Sequence, residues 1–225
     1  MYWFSPFIGA FGGALIDDGE ITLNTQAMVD ALTYYKSLKQ DGLTEARSSY
    51  QNTSNEFAQG RLAYTINGDW SLKKYHKMLG DDLGIAILPA ISTNQPLIPF
   101  YSTHSLAFPN DSLNGPKRQH LLKLMKFLQS PEVQKSIWET LGVMPVESSA
   151  FDELNRSSSG VQKQMQGALK YAQPMPSDSA MSIIWSVMRK GFIRHQADVL
   201  SAERAAALMQ KISDKQRTKS LSGKK

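Results

Sequence analysis

The stretch Asn55-Glu56-Phe57-Ala58-Gln59-Gly60-Arg61-Leu62-Ala63-Tyr64-Thr65-Ile66-Asn67-Gly68-Asp69-Trp70 carries a helix end, a strand and a turn in quick succession. Its start predicts a helix from about Thr53 to Gln59 that stops at Gly60, a residue that accepts a left-handed exit. Leu62, Tyr64 and Ile66 then alternate with Ala63 and Thr65, the period-two pattern of a short strand. Asn67-Gly68 breaks that strand, and Asp69 is placed to cap a helix over Trp70 to Leu79. A buried strand is expected at Leu83 to Leu88, closed by Pro89. Strand, helix, strand in this order predicts an α/β fold with a mainly parallel sheet flanked by helices.

Upstream, Tyr2, Trp3, Phe4, Phe7 and Phe11 are mixed with Gly9, Gly12 and Gly13, a composition suited to a loop lining a cleft or to a turn packed on a core. Asn24 is the expected cap of a helix whose Met28, Ala31, Leu32, Tyr35 and Leu38 recur at helical spacing and which ends at Gly42. Downstream, Pro96 and Pro99 within residues 91–101 suit a connection between lobes. Ser105 to Phe108 is a candidate strand, and Lys117 to Leu128 reads as an amphipathic helix through Leu121, Leu124, Met125 and Leu128. Ser130-Pro131-Glu132 opens another helix, carrying Val133, Ile137 and Trp138, which Gly142 ends. Trp138 is read as core. Val143-Met144-Pro145-Val146 follows as an extended segment, and further helices are expected over 160–172, 179–198 and 201–212.

Composition narrows the function classes. The chain has 225 residues, 41% of them hydrophobic, and no cysteine, which rules out disulfides and thiolate metal sites. No apolar run approaches the roughly 20 residues that a membrane-spanning helix needs. The first residues, Met1 to Pro6, show neither a basic region nor a small-residue cleavage site, so no signal peptide is expected in this stretch. Lys plus Arg number 25 against 20 Asp plus Glu, and Lys215, Arg217, Lys219, Lys224 and Lys225 account for the whole excess of +5. That basic tail, 215–225, has no interleaved aromatics, and nucleic acid is not expected as a partner.

Catalytic signatures do not emerge. His76, His104, His120 and His195 are scattered, with no HExxH or comparable cluster. Gly9 to Gly13 lacks the GxGxxG spacing and the lysine of a phosphate loop, and no GxSxG occurs. Asp17-Asp18 and Asp81-Asp82 sit beside glycine in turns. A pair of distant carboxylates acting on a glycosidic bond stays open as an alternative. No metal or cofactor is expected.

Five motifs in order give a resemblance. The helix-glycine-strand and Asn-Gly-x-Trp run of 55–70 resembles the central signature of sugar-binding proteins that serve ABC importers. Tyr2 to Gly13 is similar to the aromatic stretch with a double glycine that precedes this signature in maltose-type binding proteins. Met181-Ser182-Ile183-Ile184-Trp185 resembles the opening of the family's late tryptophan-bearing helix, and Ser130-Pro131-Glu132-Val133-Gln134 and Gly142-Val143-Met144-Pro145 fall between in the expected order.

The resemblance implies the later portion of a maltose/maltodextrin-type extracellular solute-binding protein with a periplasmic-binding-protein-like fold. One lobe would be near-complete and the other partial: 1–100 a second-lobe segment, 101–148 a segment of the first lobe, and 149–214 closing helices of the second. It further implies an extracytoplasmic location, a mono- or oligosaccharide ligand such as a malto-oligosaccharide, an ABC permease as partner, and the missing first lobe or a second copy of the chain as a further one. Sugars present flat C–H faces ringed by hydroxyls, so their sites combine aromatic plates with planar polar groups. Tyr2, Trp70 and Trp185 take the positions of the stacking aromatics, with Trp3 or Phe4 as substitutes for Tyr2. Asn67 and Asp69 are candidates for hydroxyl contacts or, equally, for the turn and the helix cap. Ser5 precedes Pro6 where the best-known maltodextrin binder carries another tryptophan, which argues against long-chain maltodextrin specificity. A carbohydrate-active hydrolase, or a truncated interaction module that has lost ligand binding, are the competing readings.

Overall fold

A computed structural model describes residues 1–42 and 49–222, with side chains described through Thr218. Its residues form two compact units. The first is Met1–Ser48 with Leu88–Tyr101 and Tyr171–Lys225, and the second is Ser49–Ile87 with Ser102–Lys170.

In the first unit the aromatic start packs on the core, the second of the two expectations, as a turn over Tyr2–Phe4 that leads into a short helix. α1 (Ser5–Ala10) has Pro6 in its first turn and buries Ser5, Pro6, Phe7 and Ile8. A helix this short is held by packing, because six residues are below what propensity sustains in water. A hairpin follows, with β1 (Ile16–Asp17) antiparallel to β2 (Glu20–Ile21). Asp18 and Gly19 both have positive φ, 47° and 75°, as a two-residue hairpin turn of matching twist requires. Thr25, one residue after the expected Asn24, caps α2 (Gln26–Gln40) by accepting from the Met28 amide at 3.2 Å.

The rest of the unit closes over these elements. β3 (Phe100–Tyr101) pairs in parallel with β4 (Gln173–Pro174). α9 (Met181–Gln196) packs on α10 (Ala202–Ser222), which runs ten residues beyond the expected end at Ile212. Gly191 lets the two helices approach, since a Cβ there would lie 2.4 Å from Met209 Cε and 3.0 Å from the Ala205 carbonyl oxygen. The core holds Phe4, Ile8, Leu23, Met28, Leu32, Ile184, Val187, Met188 and Met209. Gln210 ties α10 to the hairpin strand, its Oε1 accepting from the Leu23 amide at 2.6 Å and its Nε2 donating to the Ile21 carbonyl at 2.9 Å.

The second unit is helical: α3 (Tyr50–Ala58), α4 (Leu72–Leu79), α5 (Arg118–Leu128), α6 (Pro131–Leu141), α7 (Ser148–Ser157) and α8 (Gly160–Leu169). Ser130 caps α6 as its sequence predicts, and Gly142 ends it in the left-handed region at φ 74°. The buried cluster is small, comprising Ala58, Leu72, Tyr75, Leu83, Trp138 and Leu154.

The mainly parallel sheet expected from the strand signals is corrected at the level of hydrogen bonding. Among the described residues the sheets are two-stranded, β1 with β2 and β3 with β4. The stretches 62–66, 83–88 and 105–108 form no ladder with any described segment, and without a hydrogen-bonded partner an extended segment is not a strand. The period-two pattern reports which residues suit a strand, and it does not supply the neighbour.

Candidate functional site

The Asn-Gly-Asp-Trp run lies in the second unit, where a short 3₁₀ turn (Asp69–Ser71) leads into α4. Asp69 Oδ1 accepts from the Trp70 amide at 2.9 Å, so the carboxylate holds the turn locally. The Trp70 ring lies against Gly68: a Cβ on that glycine would come within 2.3–2.6 Å of three ring atoms. Trp70 remains 51% exposed. Its indole N–H donates to the Tyr50 hydroxyl at 2.8 Å, fixing the ring in place.

Tyr50 begins a directed chain of hydrogen bonds that runs inward. Its O–H donates to Asn67 Oδ1 at 3.2 Å, and Asn67 Oδ1 also accepts from the Gly68 amide at 2.9 Å. Asn67 Nδ2 donates to the Tyr75 hydroxyl at 2.6 Å, which donates to buried Ser54 Oγ at 3.0 Å. Lys74 Nζ donates to Ser54 Oγ at 3.3 Å and to Asn55 Oδ1 at 2.9 Å. Each of these groups uses its donors and acceptors consistently, which makes the array rigid. Partial burial pushes the Tyr50 phenol up, but hydrogen bonds to Ser71 and Trp70 and the nearby Lys74 ammonium outweigh it, and the phenol sits below its ordinary value.

Of the residues predicted from sequence, the structure brings Asn67, Asp69 and Trp70 together here, and it adds Tyr50 and Tyr75, which sequence reasoning missed. Tyr50 lies twenty residues before Trp70, a separation with no periodic relation to it. Tyr75 follows one helical turn after Ser71 and carried only the signal of a buried helix face. Tyr2 and Trp185 lie in the first unit. The Tyr2 hydroxyl donates to the Phe100 carbonyl, and its ring meets Trp3 edge to face at 5.2 Å. Trp185 is partly buried and packs against the core of that unit. Phe4 is buried against Phe7, Tyr35 and Phe192 and is therefore core, not a substitute plate.

Elsewhere in the second unit a cavity of about 230 Å³ lies among α6, α7 and α8, lined by Lys135, Trp138, Glu139, Glu153, Ser157 and Gln162. Trp138 there is a buried core residue, as its helical position predicts. The cavity includes none of the residues around Trp70. Among the described residues no group of three or more His, Asp or Glu side chains is arranged to hold a metal, and no helix is long and apolar enough to cross a membrane.

Two interleaved units with an exposed, pinned tryptophan beside a glycine fit a binding-protein architecture. The profile of the bacterial extracellular solute-binding protein family matches residues 1–166, and the chain belongs to that family. The chain is 22% identical over 178 residues to the maltooligosaccharide ABC transporter solute-binding lipoprotein of Streptococcus pneumoniae, covering 78% of this chain and 41% of that protein. It is 24% identical over 189 residues to the maltotriose-binding protein of Pyrococcus abyssi, covering 82% of this chain and 41% of that protein.

Solved structures agree on the fold. The maltose/maltodextrin-binding domain MalE from Bdellovibrio bacteriovorus, bound to maltotriose, superposes over 96% of this chain and 57% of its own, with a TM-score of 0.84 at 27% identity. MalX from Streptococcus pneumoniae, in complex with maltopentaose, superposes with a TM-score of 0.82 at 17% identity over 96% of this chain and 58% of its own. The fold is thus periplasmic-binding-protein-like, of the maltose/maltodextrin type, and the chain spans about half the length of the relatives it matches.

Proposed function

We propose that this chain is part of the carbohydrate receptor of an ABC importer, and that it holds a malto-oligosaccharide by stacking on Trp70 without transforming it. The observation that carries this reading is the half-exposed Trp70 ring, seated on Gly68 and fixed by its hydrogen bond to Tyr50. An aromatic face held rigid before the ligand arrives loses little conformational freedom on binding. The names of the relatives support the ligand class.

In this reading Tyr2 and Trp185 are further stacking aromatics, Tyr50 presents a hydroxyl at the edge of the Trp70 plate, and Asn67 positions Tyr50 from behind. Asp69 holds the turn and keeps one carboxylate oxygen for a sugar hydroxyl. The change of unit at Tyr101 is one of the crossings between lobes, and the full-length protein works outside the cytoplasmic membrane with a permease as partner.

Titration with maltotriose followed by tryptophan emission tests the proposal, with product analysis of the same mixture. The expected result is a saturable change that is lost in Trp70→Ala, with the trisaccharide recovered intact. Shortened sugars in the mixture would favour the hydrolase reading, and an identical response from the Trp70→Ala protein would sink the assignment.

A further inference from the structure

The cavity among α6, α7 and α8 shares no residue with the array around Trp70, and its lining has a chemistry of its own. At about 230 Å³ it is far larger than the roughly 10–15 Å³ that one water needs and smaller than the roughly 300 Å³ at which drug-sized ligands begin to fit. Trp138, Ala150 and Leu154 are buried and give it apolar walls. Its polar groups are acceptors in excess. The Lys135 ammonium is engaged by Glu153 at 2.7 Å, and the Ser157 hydroxyl donates to the Glu153 carbonyl at 2.9 Å. Buried Ser158 accepts from Gln166 Nε2 at 3.0 Å and keeps a second lone pair, while Gln166 Oε1 is itself buried without a partner. Glu139 lies near enough to Lys135 to act on its charge, yet it forms no salt bridge among the described residues.

We propose that this cavity is a binding site for a small organic cation, a primary ammonium on a short apolar chain. An ammonium brings three donors and no acceptor, which suits walls made of carboxylates and hydroxyl lone pairs, and the short chain suits Trp138, Ala150 and Leu154. The charge of the region agrees. Although the whole chain stands at +5, residues 130–158 hold Glu132, Glu139, Glu147, Asp152 and Glu153 against Lys135 and Arg156. A cation beside the Trp138 ring also gains from its π face. An anion would meet Glu139 and Glu153 with one ammonium, already engaged, to offset them. A neutral alcohol would bring a single donor and no charge. In this site Glu139 receives the ammonium, and Lys135 is its competitor, because the Lys135 side chain holds the Glu153 carboxylate that the guest would otherwise share.

Titration of the ¹⁵N-labelled 225-residue chain with n-butylammonium chloride, read at the Trp138 indole N–H signal, tests this without any sugar. Sodium chloride at matched ionic strength, n-butanol and sodium butyrate are the controls. The expected result is a saturable Trp138 shift with butylammonium alone, while the Trp70 signal stays still. Glu139→Gln should weaken this binding about threefold or more and Lys135→Met should tighten it by a similar factor, opposite signs that a general loss of structure cannot produce. Both side chains are exposed, so the fold tolerates either change. A stationary Trp138 signal would overturn the proposal, as would an equal response to butanol or sodium chloride. So would equal affinity in the unaltered chain and both variants. Saturation by butyrate instead would assign the cavity to an anion, and tighter binding of a blocked lysine tripeptide would assign it to a side chain of another protein; either result likewise overturns it.

Discussion

Gly68 carries no side chain, and the Trp70 ring occupies the space one would fill. Gly68→Ala is therefore expected to displace the indole and break its hydrogen bond to Tyr50, red-shifting Trp70 emission while barely altering helix content by circular dichroism. Asn67 links exposed Tyr50 to buried Tyr75, so Asn67→Ala should cost about 1–3 kcal/mol in denaturant unfolding by leaving buried polar groups short of partners. The Tyr50 phenol is held below its ordinary value of about 10. Its contribution to stability appears only as the pH rises through the folded value into the alkaline range, and it is absent below that. Spectrophotometric titration should show one tyrosine ionising earlier than the rest, and Tyr50→Phe should remove it.

At the scale of elements, α9 and α10 meet through Gly191, where a Cβ would fall 2.4 Å from Met209. Gly191→Val is expected to destabilise the first unit by about 1–3 kcal/mol, an overpacking effect that Met209→Ala should partly relieve in the double variant. Elements with strong local signals were legible in the sequence: α2 through its apolar period, and α6 through Ser130-Pro131 at its start and Gly142 at its end. α1 was not, because its six residues form a helix on the strength of burying Phe7 and Ile8 and not of their propensity. The hairpin at Asp18-Gly19 showed its turn but not its strands, each only two residues long. The strand patterns at 62–66 and 83–88 were legible as patterns, while their pairing depends on neighbours that local sequence does not specify. At the candidate site, Asn67, Asp69 and Trp70 are adjacent in sequence and were found together, whereas Tyr50 joins them through a contact across the fold.

For the molecule as a whole, the two units differ in how well they are closed. The first encloses fully buried side chains from α1, α2, α9 and α10, and the second packs a small cluster around Tyr75 and Trp138. Unfolding of this chain is accordingly expected to depart from two-state behaviour, with the second unit losing amide protection at lower denaturant than the first. A single transition in which amides of α4 and α9 lose protection together would contradict that ordering. The central claim is that Trp70 is the sugar-facing plate of a malto-oligosaccharide receptor. Its most direct test is the indole N–H signal of each tryptophan in a ¹⁵N-labelled chain titrated with maltotriose, a method that reads even weak binding. The account predicts a saturable shift of the Trp70 signal with that of buried Trp138 unmoved; a stationary Trp70 signal throughout the titration would contradict it.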